Sequence, residues 1–254
     1  MISLDEALHR LLHKRAYRES FLAGRSEALD LSPEDLAALS SIDPGQLQKT
    51  AERVAADLGT RKHRGSGGLS ELFPLTIEAW QQDRDSAPGP ATTKKLPSRG
   101  DGRELMFSFL ESAAFDSYRE LPFAGVGRSL EEAFFEFAEA ARIGDPVVRE
   151  REHLGAILRA LTVTPTADFL LPAAVRRVPR GFFAVTSRGD PMLYAAVKGR
   201  FISGQLTPFL AELLVSPDAP AAVAERHGVS APVLEASQKR LRELHLLEAV
   251  DDVG

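Results

Sequence analysis

The sequence predicts a mainly α-helical protein with a small β-sheet in its C-terminal third. Residues that cap helix N-termini recur before apolar segments whose spacing is helical, at Ser3, Ser32, Asp43, Ser129 and Asp145. Beyond Pro165, two runs rich in Val, Phe and Tyr flank the turn signal Arg188-Gly189-Asp190-Pro191. Helical segments return after the second run, so the sheet is expected to be small.

Four regions follow from this pattern along the chain. Residues 1–60 are predicted to form a small domain of three helices, in which Gly59 caps the last helix. Residues 61–103 are predicted to be a linker with a short helix, including a Pro/Ser/Gly-rich loop at 83–102. Residues 104–165 read as a helical block, with one helix over Glu104–Tyr118 and a core that contains Phe134 and Phe137 but not Phe135.

The last region, residues 170–254, is predicted to be winged-helix-like. A hairpin on either side of residues 188–191, with a third strand at Val175–Val178, precedes a short helix at Leu206–Leu214. The segment from Val223 to Leu247 then reads as helix, tight turn and helix, and Ser230 is the predicted N-cap of the second helix. This order of strands and helices is typical of a winged helix-turn-helix.

The charge of the chain argues against nucleic acid as the ligand of this domain. The formal net charge is −5, and residues 205–254 contain four Lys or Arg against eight Asp or Glu. A domain that binds duplex DNA is usually strongly basic. Ala231, Pro232 and Glu235 at the start of the last helix are poorly suited to contact base edges. DNA binding stays open as the alternative because four side chains follow that could contact DNA, namely Gln238, Lys239, Arg240 and Arg242.

No motif predicts catalysis or a bound cofactor. The chain has no cysteine, which excludes disulfides and thiolate metal sites. His9 and His13 have a spacing that can hold a metal, but no third ligand is suggested. The glycine segments at 65–68 and 125–128 lack the remainder of a phosphate-binding motif. Two basic clusters are interpreted as a solvated helix face or a cationic helix C-terminus, with an acidic partner peptide as the alternative: Lys14, Arg15 and Arg18, and then Arg61, Lys62 and Arg64.

The segment FFAVTSRGDPMLYAAVKGRFISGQLTPFLAELLVSPDAPAAVAERHGVSAPVLEASQKRLRELHLLE, residues 182–248, resembles the RiPP recognition elements of ribosomal peptide biosynthesis. In those modules a leader peptide adds a strand to the sheet edge and rests on the last helix. Residues 4–58, LDEALHRLL through to VAADL, resemble the small helical domains of precursor or partner proteins of peptide-modifying enzymes. A helical N-terminal region joined to a peptide-binding winged helix resembles the partner proteins of multinuclear non-haem iron oxidative enzymes. The resemblance implies a partner protein without a cofactor of its own, which delivers a precursor peptide to a separate iron enzyme in a heterodimer.

These observations lead to a specific expectation. The chain is expected to be a non-catalytic, cytoplasmic, bacterial-type protein that binds a leader peptide, with no metal site. No apolar run approaches the roughly 20 residues of a membrane span. The candidate peptide-binding residues are placed on the hairpin and on the last helix: Phe183, Val185, Tyr194, Ala196, Val233, Ser237 and Arg240.

Overall fold

The computed structural model describes residues 2–25, 29–60, 68–86, 101–120, 129–163 and 171–247. In these residues the chain is mainly helical with one small antiparallel sheet, so the predicted fold class is confirmed. Residues 61–67 and 125–128, which include most of the predicted glycine and basic motifs, lie outside this part of the chain. The helices before the sheet are α1 (Leu4–His13), α2 (Arg15–Leu22), α3 (Pro33–Leu39), α4 (Pro44–Thr60), α5 (Leu69–Leu72), α6 (Pro74–Ser86), α7 (Asp101–Leu110), α8 (Ala113–Glu120), α9 (Leu130–Ala140) and α10 (Pro146–Val163).

The predicted helix starts are confirmed by side-chain caps. In each case a side-chain oxygen accepts a hydrogen bond from the backbone N–H three residues later, which satisfies one of the donors left free at a helix N-terminus. The oxygen-to-nitrogen distances are 3.2 Å at Ser3, 3.1 Å at Ser32, 2.7 Å at Asp43 and 3.1 Å at Ser129. Asp145 accepts from the N–H of Val148 at 3.3 Å and also from the N–H of Val147 at 2.6 Å.

The N-terminal region contains four helices rather than the predicted three. Lys14 has an extended backbone, with φ −110° and ψ 108°, and so separates α1 from α2. The predicted C-terminal cap, Gly59, lies inside α4, which continues to Thr60. A small core, made of Ala7, Leu11, Leu39 and Leu47, holds these helices together.

The first basic cluster is not a solvated helix face. Arg18 is only 2% exposed and donates to the carbonyl of Leu11 at 2.9 Å. Lys14 donates to the carbonyl of Leu110 at 3.0 Å and pairs with Asp116 at 2.6 Å, while Arg15 pairs with Glu104 at 2.9 Å. These cations therefore attach the N-terminal helices to α7 and α8, and the prediction of a solvated face is wrong.

An aromatic core fills the central helical block. Phe73, Phe109 and Phe134 are fully buried, and the rings of Phe109 and Phe134 meet edge to face with centroids 5.3 Å apart. Phe137 joins this core as predicted, while the half-buried Phe135 packs against its edge and stacks on His153, with ring centroids 4.0 Å apart. The core also includes Ala55 of α4, so the N-terminal helices pack directly against this block.

Two predicted boundaries in this block are wrong. The helix expected over Glu104–Tyr118 is broken after Leu110, because Ser112 accepts a hydrogen bond from the N–H of Phe115 at 3.2 Å and so begins α8. The loop expected at 83–102 is helical at both ends, since α6 reaches Ser86 and α7 begins at Asp101. Residues 87–100 lie outside the described residues.

The sheet has four antiparallel strands in sequence order, β1 (Val175–Val178), β2 (Gly181–Val185), β3 (Met192–Val197) and β4 (Arg200–Gln205). The predicted hairpin and third strand are confirmed, but β4 was not predicted. It follows a two-residue turn in which Lys198 and Gly199 have φ values of 52° and 70°. Two consecutive positive φ values characterise the hairpin turn whose twist matches that of the strands.

Helices cover both faces of this sheet. Helix α10 packs on one face through Leu154, Ile157, Leu158 and Leu161. The other face is covered by α11 (Pro208–Val215), α12 (Pro220–Arg226) and α13 (Ala231–Glu243), and Ser230 is the N-cap residue of α13. Because the sheet is covered on both sides, its side chains are occupied in packing and only its edges can pair with another strand. None of the helices described is both long and apolar enough to span a bilayer.

Candidate functional site: the outer edge of β4

The structure divides the predicted hairpin residues between the two faces of the sheet. Phe183 and Val185 of β2 point to the core shared with α11–α13. Tyr194 and Ala196 of β3 point to α10. The expected alternation along each strand is confirmed, but the four side chains do not form one surface.

These four residues also lie on the two inner strands. Strand β2 pairs with both β1 and β3, and β3 pairs with both β2 and β4. The backbone groups of both strands are therefore already used on each side, and an added strand cannot pair with them. The placement of strand addition at Phe183, Val185, Tyr194 and Ala196 is corrected accordingly: an added strand must pair with β1 or with β4.

The outer edge of β4 presents a row of backbone groups that form no hydrogen bond with another described residue. Val197 and Arg200 flank the two-residue turn and form the hydrogen-bonded pair that closes it. The backbone groups of successive residues in a strand point alternately to its two sides. Because those of Arg200 point to β3, the N–H and C=O groups of Phe201, Ser203 and Gln205 point away from β3. The N–H of Leu206 donates inward to Pro191 at 2.9 Å, which agrees with this alternation.

Strand β1 is a much poorer edge for strand addition. It has four residues, and the N–H of Val175 is already donated to the carbonyl of Pro172 at 2.8 Å. Its middle residues, Arg176 and Arg177, are exposed cations, and charges of this kind protect sheet edges from pairing with other chains. Strand β4 is two residues longer and has no charged residue after Arg200.

The predicted residues of the last helix form one stripe. Val233, Ser237 and Arg240 follow each other at intervals of four and three on α13, so they share a face. Val233 is 52% exposed, Ser237 is half-buried, and Arg240 is exposed and pairs with Glu243 at 3.0 Å. The adjacent side of the helix, about a quarter of a turn away, packs through Leu234 and Leu241 into the core that contains Ile202 of β4.

The end of α13 lies near the turns at one end of the sheet. Partial burial, together with the positive charges of Lys198 and Arg180, lowers the pKa of His245 below its usual value. Lys198 belongs to the β3–β4 turn and Arg180 to the β1–β2 turn. The last helix therefore returns to the end of the sheet where β4 begins.

The opposite end of the sheet is fixed to α10 by buried polar groups. The carboxylate of Glu150 accepts hydrogen bonds from the N–H and hydroxyl of Ser187, each at 2.7 Å, and from the N–H of Arg188 at 2.9 Å. Glu139 binds Arg149 at 2.8 Å and Arg188 at 3.0 Å. Burial alone would raise the pKa of Glu139, but the hydrogen bonds from Arg188 and Arg149 outweigh it and lower that pKa below its usual value.

A pocket of about 200 Å³ opens between α10, Tyr194 and the corner where α5 meets α6. Its apolar wall is formed by Leu72, Pro74 and Ala156, and its cationic groups are Arg151 and Arg159. Burial raises the pKa of Tyr194, so its phenol is a neutral hydrogen-bond donor at physiological pH.

Sequence reasoning missed β4, Arg151 and Arg159. The signal for β4 was Lys198-Gly199, a two-residue turn between apolar runs. The signal for the arginines was their spacing with Gly155, which places all three at intervals of four on one face of α10.

The possible metal pair, His9 and His13, forms a stack with ring centroids 3.8 Å apart. Within the described ranges, no three His, Asp or Glu side chains are grouped as metal ligands would be.

Comparison of the chain with protein-family models, with curated proteins and with solved structures finds no match.

Proposed function

We propose that this protein binds an extended peptide, which pairs with the outer edge of β4 as a fifth strand of the sheet. The observation that carries the proposal is the row of outward backbone groups at Phe201, Ser203 and Gln205. An added strand would take up these groups in a regular ladder, as in other proteins that recognise peptides by strand addition. Exposed arginines protect the edge at β1, whereas β4 has no charged residue after Arg200. This difference favours β4 as the strand with which a peptide pairs.

The charges of α12 and α13 support a peptide rather than DNA. Arg226 binds Glu212 and Asp218, and Arg240 binds Glu243, so these cations are partly neutralised within the chain. The first residues of α13 are Ala231, Pro232 and Val233, which offer no hydrogen-bonding side chain to a base edge. Winged-helix-like DNA binding is therefore the less favoured function.

The resemblance to RiPP recognition elements suggests the source of the peptide. In this proposal the ligand is the leader of a ribosomally made precursor, and the protein is a non-catalytic partner that presents it to a separate iron-dependent enzyme in a heterodimer in the bacterial cytoplasm. The stripe of Val233, Ser237 and Arg240 is available for contact with the leader. The N-terminal helices would supply the surface for the enzyme.

A pair of proline variants tests the site of binding. Random 12-residue peptides displayed on phage are selected on the full-length protein, and the affinity of the enriched peptides is measured by fluorescence anisotropy. Ser203→Pro removes one outward N–H from β4 and places a ring where the added strand would lie. Arg177→Pro, the control, removes the corresponding outward group from β1.

We expect Ser203→Pro to weaken peptide binding by at least about tenfold, since it removes a ladder hydrogen bond and obstructs its neighbours. Arg177→Pro should leave the affinity within about twofold. Circular dichroism at increasing temperature shows whether both variants remain folded. Equal affinity of wild type and folded Ser203→Pro would refute strand addition at β4. Tight binding of a labelled DNA duplex that weakens steeply with salt would favour the DNA-binding alternative instead.

A further inference from the structure

We propose that Arg151, Arg159 and Tyr194 bind the carboxylate of an Asp or Glu side chain in the peptide that pairs with β4. This inference rests on the proposed function and narrows its ligand to an extended peptide with an acidic side chain facing α10. In this proposal, the pocket beside Tyr194 selects peptides that carry an acidic side chain at the position facing it.

Arg151 and Arg159 lie on one face of α10, and Tyr194 contacts the same face between them. Arg151, Gly155 and Arg159 are four residues apart, so their Cα atoms lie in a row. A Cβ atom at Gly155 would lie 3.5 Å from Cε1 of Tyr194, which shows that the tyrosine ring packs against the helix backbone between the arginines. Arg151, Arg159 and Tyr194 therefore line the same pocket, with Arg151 at its side near the β2–β3 turn and Arg159 at its side near Phe201.

The guanidinium groups of Arg151 and Arg159 are not fully paired with acceptors among the described residues. Arg151 donates from Nη2 to the carbonyl of Asp190 at 3.1 Å, and its Nε is buried without a hydrogen-bond partner in the described part of the chain. The guanidinium of Arg159 stacks on the ring of Phe201 at 4.9 Å. Neither arginine forms an ion pair with another described residue. An arginine without an ion-pair partner can bind a carboxylate strongly, because hydrogen bonds between ions are the stronger class.

Two glutamates, Glu71 and Glu152, also line the pocket, but neither forms an ion pair with Arg151 or Arg159. Both oxygens of Glu152 are occupied at the start of α6, where they accept from the N–H of Leu75 at 2.7 Å and from the N–H and hydroxyl of Thr76 at 3.0 and 2.6 Å. The positive end of the α6 dipole offsets its charge. Glu71 is exposed at the opposite wall and makes no ion pair with Arg151 or Arg159.

Strand geometry connects this pocket to the edge of β4. Tyr194 lies directly opposite Ser203, and Phe201 packs on the α10 side of the sheet beside Tyr194. A residue added opposite Phe201 or Ser203 would direct its side chain to the same face, at about 5 Å between Cβ atoms. Because Arg159 already stacks on Phe201 at this edge, an Asp or Glu in that position is within its reach.

The selected peptides described above also test the pocket. We expect Asp or Glu to be enriched at one position of the segment that pairs with β4, a position whose side chain faces α10. Replacement of that acidic residue by its amide should weaken binding to the wild type by about tenfold or more, because bonds between ions are the stronger class of hydrogen bond. Arg159→Gln and Arg151→Gln should each weaken binding of the acidic peptide and leave binding of the amide peptide within about twofold of its wild-type value. The matched control is Arg176→Gln, an exposed arginine on the opposite edge strand.

The outcomes separate this inference from the proposed function. If Ser203→Pro abolishes binding while the amide peptide and both glutamine variants bind as tightly as the original pair, strand addition stands and the carboxylate pocket is wrong. If folded Ser203→Pro binds as well as wild type, the proposed function fails first. A charge reversal adds a positive result: Arg159→Glu should bind a peptide with Lys at the acidic position better than it binds the acidic peptide.

Discussion

Removal of the Glu150 carboxylate should loosen the connection between α10 and the β2–β3 turn. Glu150 is 8% exposed, and its two oxygens accept three hydrogen bonds from Ser187 and Arg188. Glu150→Ala leaves two backbone amides and one hydroxyl without their acceptor. Ser187 and Arg188 are exposed, so water can reach part of the site that the carboxylate leaves.

The expected cost follows from these three bonds. A hydrogen bond contributes about 1 kcal/mol net to stability, and one to a charged group contributes more. With partial replacement by water, the loss for Glu150→Ala is about 3 kcal/mol. For a chain of this size, that loss lowers the Tm by roughly 6 to 12 °C. Glu150→Gln keeps one carbonyl oxygen as an acceptor, and its loss should be about half as large.

Urea unfolding followed by circular dichroism measures these free energies of unfolding. The matched control is Glu235→Ala, since Glu235 is an exposed helical glutamate without a contact in the described residues. Surface changes of this kind stay within about 0.5 kcal/mol of wild type. Equal stability of Glu150→Ala and Glu235→Ala would refute the conclusion that Glu150 fixes the turn.

Two further predictions concern the ion network and the sheet. Because the pKa of Glu139 is lowered, its negative charge stabilises the folded state at pH values above 4.5, the ordinary pKa of a glutamate. This contribution is lost as the pH falls through the lower pKa of the folded state. The difference in unfolding free energy between wild type and Glu139→Gln should therefore be largest at neutral pH and should shrink at pH values below 4.5. Separately, Gly181→Ala should cost about 3 kcal/mol or more, because the new Cβ would lie 1.9 Å from the carbonyl oxygen of Ala196.

Each of these predictions has a control in the same kind of environment. Glu225→Gln changes an exposed glutamate that pairs with no cation among the described residues, so its difference from wild type should not depend on pH in this way. A constant difference for Glu139→Gln across the acidic range would contradict the assigned network. Gly204→Ala adds a Cβ with no atom within 4 Å, and it should cost less than about 1 kcal/mol. Similar losses of unfolding free energy in Gly181→Ala and Gly204→Ala would show that strand propensity, rather than the close approach of backbone at Gly181, determines the loss.

The local features of this fold were predictable from the sequence. A helix cap involves only residues three positions apart, so Ser3, Ser32, Asp43 and Ser129 could be identified without knowledge of the tertiary structure. The turn at 188–191 was equally local. The elements that these signals mark out are present, but the observed order also contains β4 and the additional helix breaks at Lys14 and after Leu110.

The features that depend on distant contacts were not predictable. Arg18 reads as a surface residue, but it is buried because α1 and α4 close over it. Strand β4 was missed because its second half, Ser203-Gly204-Gln205, has low strand propensity and gains its pairing from β3. Missing β4 had a direct consequence for the site, since β3 was then assumed to be an edge. The unassigned strand accounts for the interior position of Tyr194 and Ala196 on β3, whereas Phe183 and Val185 are interior because β2 lies between β1 and β3.

The contrast between the two edges remains the strongest reason to look for a ligand at β4. An exposed strand edge is an aggregation hazard, and proteins ordinarily protect it with charge, shortness or a covering segment. This chain protects β1 with two arginines, a short length and the Pro172–Val175 hydrogen bond. On β4 it places uncharged residues after Arg200, and it directs Arg159 and the pocket of Arg151 and Tyr194 to the same side. Among the described residues, one edge is protected and the other is not, and the open edge lies beside Arg151 and Arg159, as the proposed binding of an extended peptide with an acidic side chain requires.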